Sequence, residues 1–324
     1  MQQVRKLMFA ALLGLFLTLQ SLGVDAQSLI PGGEAVGLNL QFRGVCITEV
    51  EKDGPADRAG LKAGDCIRSV NETQISSTDA LAAQIAASSS LRVAVDRSGK
   101  QMSFTVYPEK TPDGSVIGAK VMDSISGIGT LTYYDPQDNT VGVLGHGVNL
   151  PAKAAQPVLS GGSFYYTEIV DVQKSQRGDP GELKGSADDP RAAGEIKENT
   201  ANGLFGEATT PDKSMQPIPT ADISMIHPGN AVIRCCVSGT QVQEYSVQIV
   251  KVYPQSVNGR DLLLQVTDPA LLAQTGGIVR GMSGSPIIQD GRLVGAVTHV
   301  LVDDPTRGYG IFIKSMLDAA EMAA

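Results

Sequence analysis

Six residues near the C-terminus, Gly281-Met282-Ser283-Gly284-Ser285-Pro286, limit the folds open to this chain more than any other stretch. A serine set between glycines and closed by a proline forms a tight loop. Gly277-Ile278-Val279 leads in, and Ile287-Ile288, an Asp290-Gly291 turn and residues 293–297 lead out. The pattern is strand, serine loop, short strand, D-G hairpin and strand. Glycine lets such a backbone bend until Oγ is exposed and the loop's own N–H groups converge, as a serine nucleophile and an oxyanion require. An ordinary glycine-rich hairpin has the same spelling, so the motif needs partners elsewhere in the chain.

A chain of 324 residues has room for two domains. Its 36 glycines, sparse aromatics and lack of tryptophan, with many short apolar runs, favour a mainly β protein. A formal net charge of −8 argues against nucleic acid or an anionic membrane surface as partner. Arg5 and Lys6 precede an uncharged run over residues 7–24 that ends near Ala26. Residues 1–26 therefore have the form of an export signal, either cleaved or kept as a membrane tether through residues 7–24. The bulk of the protein is expected outside the cytoplasm. Cys235 and Cys236 are adjacent, and Cys46 and Cys66 lie in strand-like runs, so all four cysteines are expected as buried free thiols. The three histidines lack metal-ligand spacing, so neither a metal nor a cofactor is expected.

Residues 33–110 form one compact unit. A strand over residues 44–50 leads to Gly54-Pro55-Ala56-Asp57-Arg58-Ala59-Gly60-Leu61-Lys62-Ala63-Gly64-Asp65-Cys66-Ile67, a short helix from Pro55 to Gly60 followed by a turn and a strand. Thr78-Asp79 caps a second helix, and residues 91–95 and 103–107 alternate about a Ser98-Gly99 turn. The G-P-A-x-x-A-G-L-x-x-G-D-x-I run resembles a PDZ domain, a module that binds peptide C-termini or extended segments as an added strand. By that resemblance Val36, Gly37 and Leu38 would form the carboxylate-binding loop. Leu40 would open the peptide-pairing strand, residues 78–85 would face the side-chain pocket, and Arg43 would tune specificity or sit in solvent. The groove could equally be filled by the chain itself.

Thr111-Pro112-Asp113-Gly114 marks a boundary, and residues 111–324 change to short apolar strands between glycines. Strands are expected at residues 130–134, 141–148 and 165–173, then a long loop over 178–202. A hairpin over 231–252 turns at Ser238-Gly239, a strand over 261–266 leads to Asp268, and a helix over 314–322 closes the chain. Many short strands and few helices suggest a β-barrel.

A serine nucleophile needs a base, and the base needs an orienting group. His146, between two glycines at a strand end, is the best base; His227 and His299 fit turn or structural roles better. For the acid, Asp268 stands at a strand end ahead of the serine loop, with Asp171, Asp222 and Asp303 as competitors, and pattern alone does not separate them. The export signal, the PDZ-like run, G-H-G, T-D-P and G-G-I-V-x-G-M-S-G-S-P-I-I together resemble the stage IV sporulation protein B (SpoIVB) peptidases. That resemblance implies an N-terminal PDZ domain followed by a chymotrypsin-like β-barrel serine protease domain. It implies a His146, Asp268 and Ser283 triad, an oxyanion hole from the Gly281 and Ser283 N–H groups, and a structural Ser285. Residues 295–300 would pair with substrate. It further implies secretion by the forespore into the space between two membranes. There the enzyme would cleave itself and a membrane-bound regulator of an intramembrane protease, activating a late sigma factor. The competing readings are a PDZ adaptor on an inactive protease-like domain and a general extracytoplasmic quality-control protease.

Overall fold

The computed structural model describes residues 27–151, 156–186, 192–209, 215–256 and 259–323. The expected signal or tether over residues 1–26 lies outside them. Among the described residues no helix is long and apolar enough to cross a membrane.

Two long strands organise the N-terminal two thirds. Strand β1 (Ala35–Val50) and strand β5 (Ala119–Tyr134) pair antiparallel along most of their length. Between them in sequence lie β2 (Cys66–Val70), β3 (Leu91–Arg97) and β4 (Lys100–Val106), with helices α1 (Pro55–Ala59) and α2 (Thr78–Ala87). The C-terminal half of β1 pairs with β2, β2 with β3, and β3 with β4, around a core that includes Val45, Leu61, Ile67, Leu81 and Val93. This is the PDZ-like module.

The other half of β1 belongs to a barrel. Strands β6 (Thr140–Val143), β7 (Leu159–Tyr166), β8 (Gly194–Thr200) and β9 (Gly203–Ala208) complete it. The ring runs β1–β5–β6–β9–β8–β7 and returns from β7 to β1, closing on six strands. Val36, Leu38, Leu40, Val143, Phe164 and Leu204 fill it. A second closed barrel follows from β10 (Gly229–Cys235), β11 (Gln243–Val252), β12 (Leu262–Val266), β13 (Pro286–Gln289), β14 (Arg292–Val300) and β15 (Arg307–Phe312). Helix α3 (Pro269–Thr275) precedes the serine loop, and α4 (Ile313–Ala323) ends the described chain.

Local signals decide the turns. Asp290 and Gly291 both take positive φ, 51° and 73°, as a two-residue D-G hairpin demands, and Ser98-Gly99 does the same at 52° and 81°. Gly60 ends α1 in the left-handed region, as expected. The cap of α2 is Ser77, whose side chain accepts from the Ala80 N–H, and Thr78 begins the helix. The G-D of the PDZ-like run has a plain cause. Asp65 is fully buried and takes a bidentate pair from Arg97 at 2.6 and 2.7 Å.

Three expectations need correction. Strand β1 crosses from barrel to module, and β5 crosses back, so neither sheet respects a division at 33–110 and 111–324. Gly44 marks the crossing on β1. Its φ is +100°, and a Cβ there would stand 2.3 Å from the Ile67 carbonyl oxygen. The segment 178–202 is not one long loop, because Glu182–Gly185 pairs with Ile169–Gln173 and β8 is a barrel strand. Cys46 and Cys66 are not free thiols. They sit opposite each other on β1 and β2 and form a disulfide, whereas Cys235 and Cys236 are free and buried.

The disulfide closes a loop of 20 residues, which in the chain-entropy account is worth about 3 kcal/mol. Reduction, or Cys66→Ser, should lower the unfolding free energy by about 2–4 kcal/mol in denaturant titrations. An unchanged midpoint in reductant would remove this role from the bond.

Candidate active site

The serine loop is shaped by two left-handed glycines and held by one threonine. Gly281 and Gly284 take φ of +98° and +97°. Gly284 also admits no side chain, since a Cβ would stand 2.1 Å from the carbonyl oxygen of Thr130 on β5. Thr130 is 1% exposed and binds the loop twice. Its N–H donates to the Ser283 carbonyl at 2.9 Å, and its Oγ1 donates to the Gly281 carbonyl at 2.8 Å. Its own carbonyl accepts from Leu144 N–H at 3.3 Å, two residues before His146. One residue of the first barrel thus touches the loop of the second barrel and the strand end that carries the histidine.

His146 follows the tight turn Leu144-Gly145, where φ is 70° and 69°. Beyond it, Asn199 on β8 clamps the chain. Its Oδ1 accepts from Val148 N–H, and its Nδ2 donates to the Val148 and Pro157 carbonyls. The ring Nδ1 lies 3.0 Å from the Gly147 carbonyl. A carbonyl only accepts, so Nδ1 carries the proton and Nε2 presents a lone pair. Burial pushes the imidazole below its usual pKa, and the Gly147 carbonyl partly offsets that. His146 is therefore neutral at pH 7 and in the tautomer a general base needs. Its ring also packs on His299, with centroids 5.2 Å apart.

His146 and Ser283 line one cavity of about 270 Å³, shared with Leu38, Ile125, Gly127 and Arg280. The Ser283 hydroxyl donates to the Thr298 carbonyl at 3.0 Å and, among the described residues, makes no hydrogen bond to the imidazole. Among the described residues the Gly281 and Ser283 N–H groups donate to no other backbone carbonyl. Ser285 is buried and donates to the Met282 carbonyl at 2.7 Å. Beneath the loop, burial pushes the Cys235 thiol up to about 12, which leaves it unreactive.

The structure does not bring Asp268 to this cavity. It is the N-cap of α3: Oδ1 accepts from the Ala270 and Leu271 N–H groups, and Oδ2 from Ser246 N–H. With both oxygens committed in the second barrel, the carboxylate makes no hydrogen bond to His146. The competitors are elsewhere too. Asp171 pairs with Lys184 at 2.9 Å, Asp222 caps the short helix at residues 223–225, and Asp303 is exposed. His227 meets Asp290 at 3.1 Å on an exposed hairpin.

The expected peptide-binding residues Val36, Gly37, Leu38 and Leu40 do not form a carboxylate loop. They are interior residues of β1, buried, with β7 on one edge and β5 on the other. An added strand has no backbone groups to meet there. Sequence reasoning missed Thr130 and Asn199. A small polar residue in an alternating run gives no local sign that it faces another barrel.

The model of the SpoIVB peptidase S55 family matches residues 114–317, and that of the PDZ domain matches residues 46–97. The chain belongs to the SpoIVB peptidase S55 family. It is mainly β, with an N-terminal PDZ module joined to two six-stranded barrels. Curated relatives match over shorter pieces. LL2128 of Lactococcus lactis subsp. lactis (strain IL1403), which carries the name of a zinc metalloprotease, is 44% identical over 21% of this chain and 16% of its own length. The periplasmic serine endoprotease DegP of Escherichia coli (strain K12) is 33% identical over 26% of this chain and 19% of its own length. The chain thus spans under a fifth of the length of these relatives, and they differ in catalytic chemistry. The Rv3671c protease of M. tuberculosis in its active form is 15% identical, with a TM-score of 0.37 over 60% of this chain and 72% of that one.

Two outcomes check the site. Thr130→Val should cut turnover about tenfold or more, because the Gly281 carbonyl is left unpaired in a buried place, while Thr130→Ser keeps the bond and the rate. Asp268→Asn, which can still cap α3, should keep turnover within a few-fold, and Asp268→Ala should cost about 1 kcal/mol of stability. A loss near 10⁴ in the Asn variant would restore Asp268 as the orienting acid.

Proposed function

We propose that this chain is a serine endopeptidase in which Ser283 attacks a peptide carbonyl and His146 takes the proton and returns it to the leaving amine. The observation that carries the reading is the meeting of Ser283 and His146 in one cavity, with Nε2 of the imidazole unprotonated. The Gly281 and Ser283 N–H groups then serve the oxyanion, an interaction that typically carries ~10²–10³ in rate. The Gly147 carbonyl does for the tautomer what a carboxylate does in a full triad. Asp268 contributes through α3 and the placement of the second barrel.

Family membership supports a protein substrate, with the PDZ module helping to choose it. The same membership supports the finer reading that the substrate is a membrane-bound regulator in a sporulation pathway ending in an intramembrane protease and a late sigma factor, and that the chain also processes itself. A location outside the cytoplasm fits the leader-like residues 1–26, the Cys46–Cys66 disulfide and the periplasmic relative. The Ser283 hydroxyl bound to Thr298 favours a latent resting form over an inactive adaptor, since a single rotation frees it.

A fluorophosphonate probe should label the wild-type chain and leave Ser283→Ala and His146→Ala unlabelled. Labelling that survives in Ser283→Ala and vanishes in Ser285→Ala would overturn the nucleophile. The acid limb of the pH profile follows from the imidazole. Protonated His146 cannot accept a proton, so kcat/KM falls as pH drops through its pKa. Burial among His299, Arg280 and apolar neighbours places that midpoint below the ordinary imidazole value of about 6.5.

A further inference from the structure

Strand β5 carries an open edge between the PDZ module and the cleavage site. One side of β5 is paired with β1 over residues 119–130 and with Ile30 and Pro31 at residues 133–134. On the other side, residues 131–134 are taken by β6, and Thr130 by Ser283 and Leu144. Backbone groups alternate along a strand, so Ile128, Ser126 and Ser124 point their N–H and C=O to the same side as Thr130. Among the described residues no strand pairs with them there. Ser124, Ser126 and Gly127 are exposed, and a Cβ on Gly127 would meet nothing within 4 Å.

The two ends of this edge are different sites. Ile125, Ser126, Gly127 and Ile128 line the cavity that holds His146 and Ser283. A few residues earlier, helix α2 stands beside the strand, its Thr78 N–H 2.8 Å from Asp123 Oδ2. A strand edge beside a PDZ helix is the place where a peptide adds, and here it belongs to β5, from the far side of the expected domain boundary.

We propose that the open edge of β5 is a substrate track, on which the polypeptide C-terminal to the scissile bond is held as an added antiparallel strand running from the Ser283 cavity to the groove beside α2. This rests on the peptidase reading above. The side is set by the proton. The leaving amine must face His146, and His146 and β5 belong to the same barrel. Each residue of β5 passed accommodates one residue of substrate at about 3.4 Å, so the groove opposite Asp123 receives the residue about seven positions after the bond. Leu38, Leu40, Leu144 and Val148 line the cavity and favour an apolar side chain close to the bond. The occupant is thus an extended substrate segment, and one polypeptide occupies both sites at a fixed spacing.

A tryptic peptide library from a bacterial proteome tests this. Cleaved peptides should carry at least about seven residues after the bond, with no matching requirement before it. In a synthetic copy of the best-cut peptide, N-methylation on the leaving side should raise KM about tenfold at alternate residues and leave the intervening ones unaffected. Ser124→Pro, outside the lining of the Ser283 cavity, removes one edge donor and should raise KM with kcat nearly unchanged. Cleavage indifferent to leaving-side length, or N-methyl effects without alternation, would sink the track. The peptidase reading fails separately, if the fluorophosphonate leaves Ser283 unlabelled. In that case immobilised Ser283→Ala chain still reports the track. It should retain library peptides that Ser124→Pro in the same background releases, and equal retention by both would overturn the proposal.

Discussion

The hydrogen bonds of Thr130 set the geometry on which the site depends. Ser283 comes from one barrel and His146 from the other, and no covalent segment shorter than a hundred residues joins them. Proton transfer between two side chains requires their relative position to be fixed within about half an ångström. Thr130 supplies a common reference, since it binds the Ser283 and Gly281 carbonyls on one side and the Leu144 N–H on the other. Gly284 makes the approach feasible, because any Cβ would strike the Thr130 carbonyl oxygen. The glycines of the serine loop thus serve a packing contact between barrels as much as the exposure of Oγ.

The same physical economy joins the PDZ module to the enzyme. A module on a flexible linker can turn, whereas this one shares β1 and β5 with the first barrel, so its helix α2 keeps one orientation toward the cavity. The register between β1 and β5 shifts between Gln41 and Cys46, around Gly44, and again between Ile47 and Glu49. The Cys46–Cys66 disulfide lies just past Gly44 and ties β1 to β2. Peptide held beside α2 is therefore held relative to Ser283 as well.

Local chemistry was legible in the sequence, and long-range pairing was not. The D-G and Ser98-Gly99 hairpins, the helix from Pro55 to Gly60, the C-terminal helix and the serine loop each follow from residues within a few positions of one another. The carboxylate-loop assignment at Val36-Gly37-Leu38 failed because β5, about ninety residues later in sequence, takes the peptide-pairing position and leaves β1 interior. The disulfide depends on a cross-strand register that spacing alone does not reveal. Asp268 is a different case. Asp-Pro followed by Ala-Leu-Leu-Ala-Gln-Thr-Gly is a helix with an Asp N-cap, Pro at its first position and Gly at its end. That local signal was present, and the resemblance to a triad motif outweighed it.

A site with an oriented, neutral imidazole and, among the described residues, no carboxylate hydrogen-bonded to it has a definite weakness. The base is ready to accept the proton, since Gly147 fixes its tautomer and burial keeps it uncharged. Once protonated, the imidazolium faces His299 and a backbone dipole where a full triad offers a negative charge, so the transition state gains less electrostatic stabilisation. Binding energy from remote parts of a substrate can compensate, provided it is realised as the reacting carbonyl reaches Ser283. A strand edge that runs from the cavity to a peptide-binding helix is suited to supply it, because each added backbone pair constrains the register of the bond to be cut. Short peptides would then be poor substrates and a correctly spaced protein segment a good one. On the proposed track, selectivity of that kind would arise from the weakness of the acid–base pair together with the length of the track.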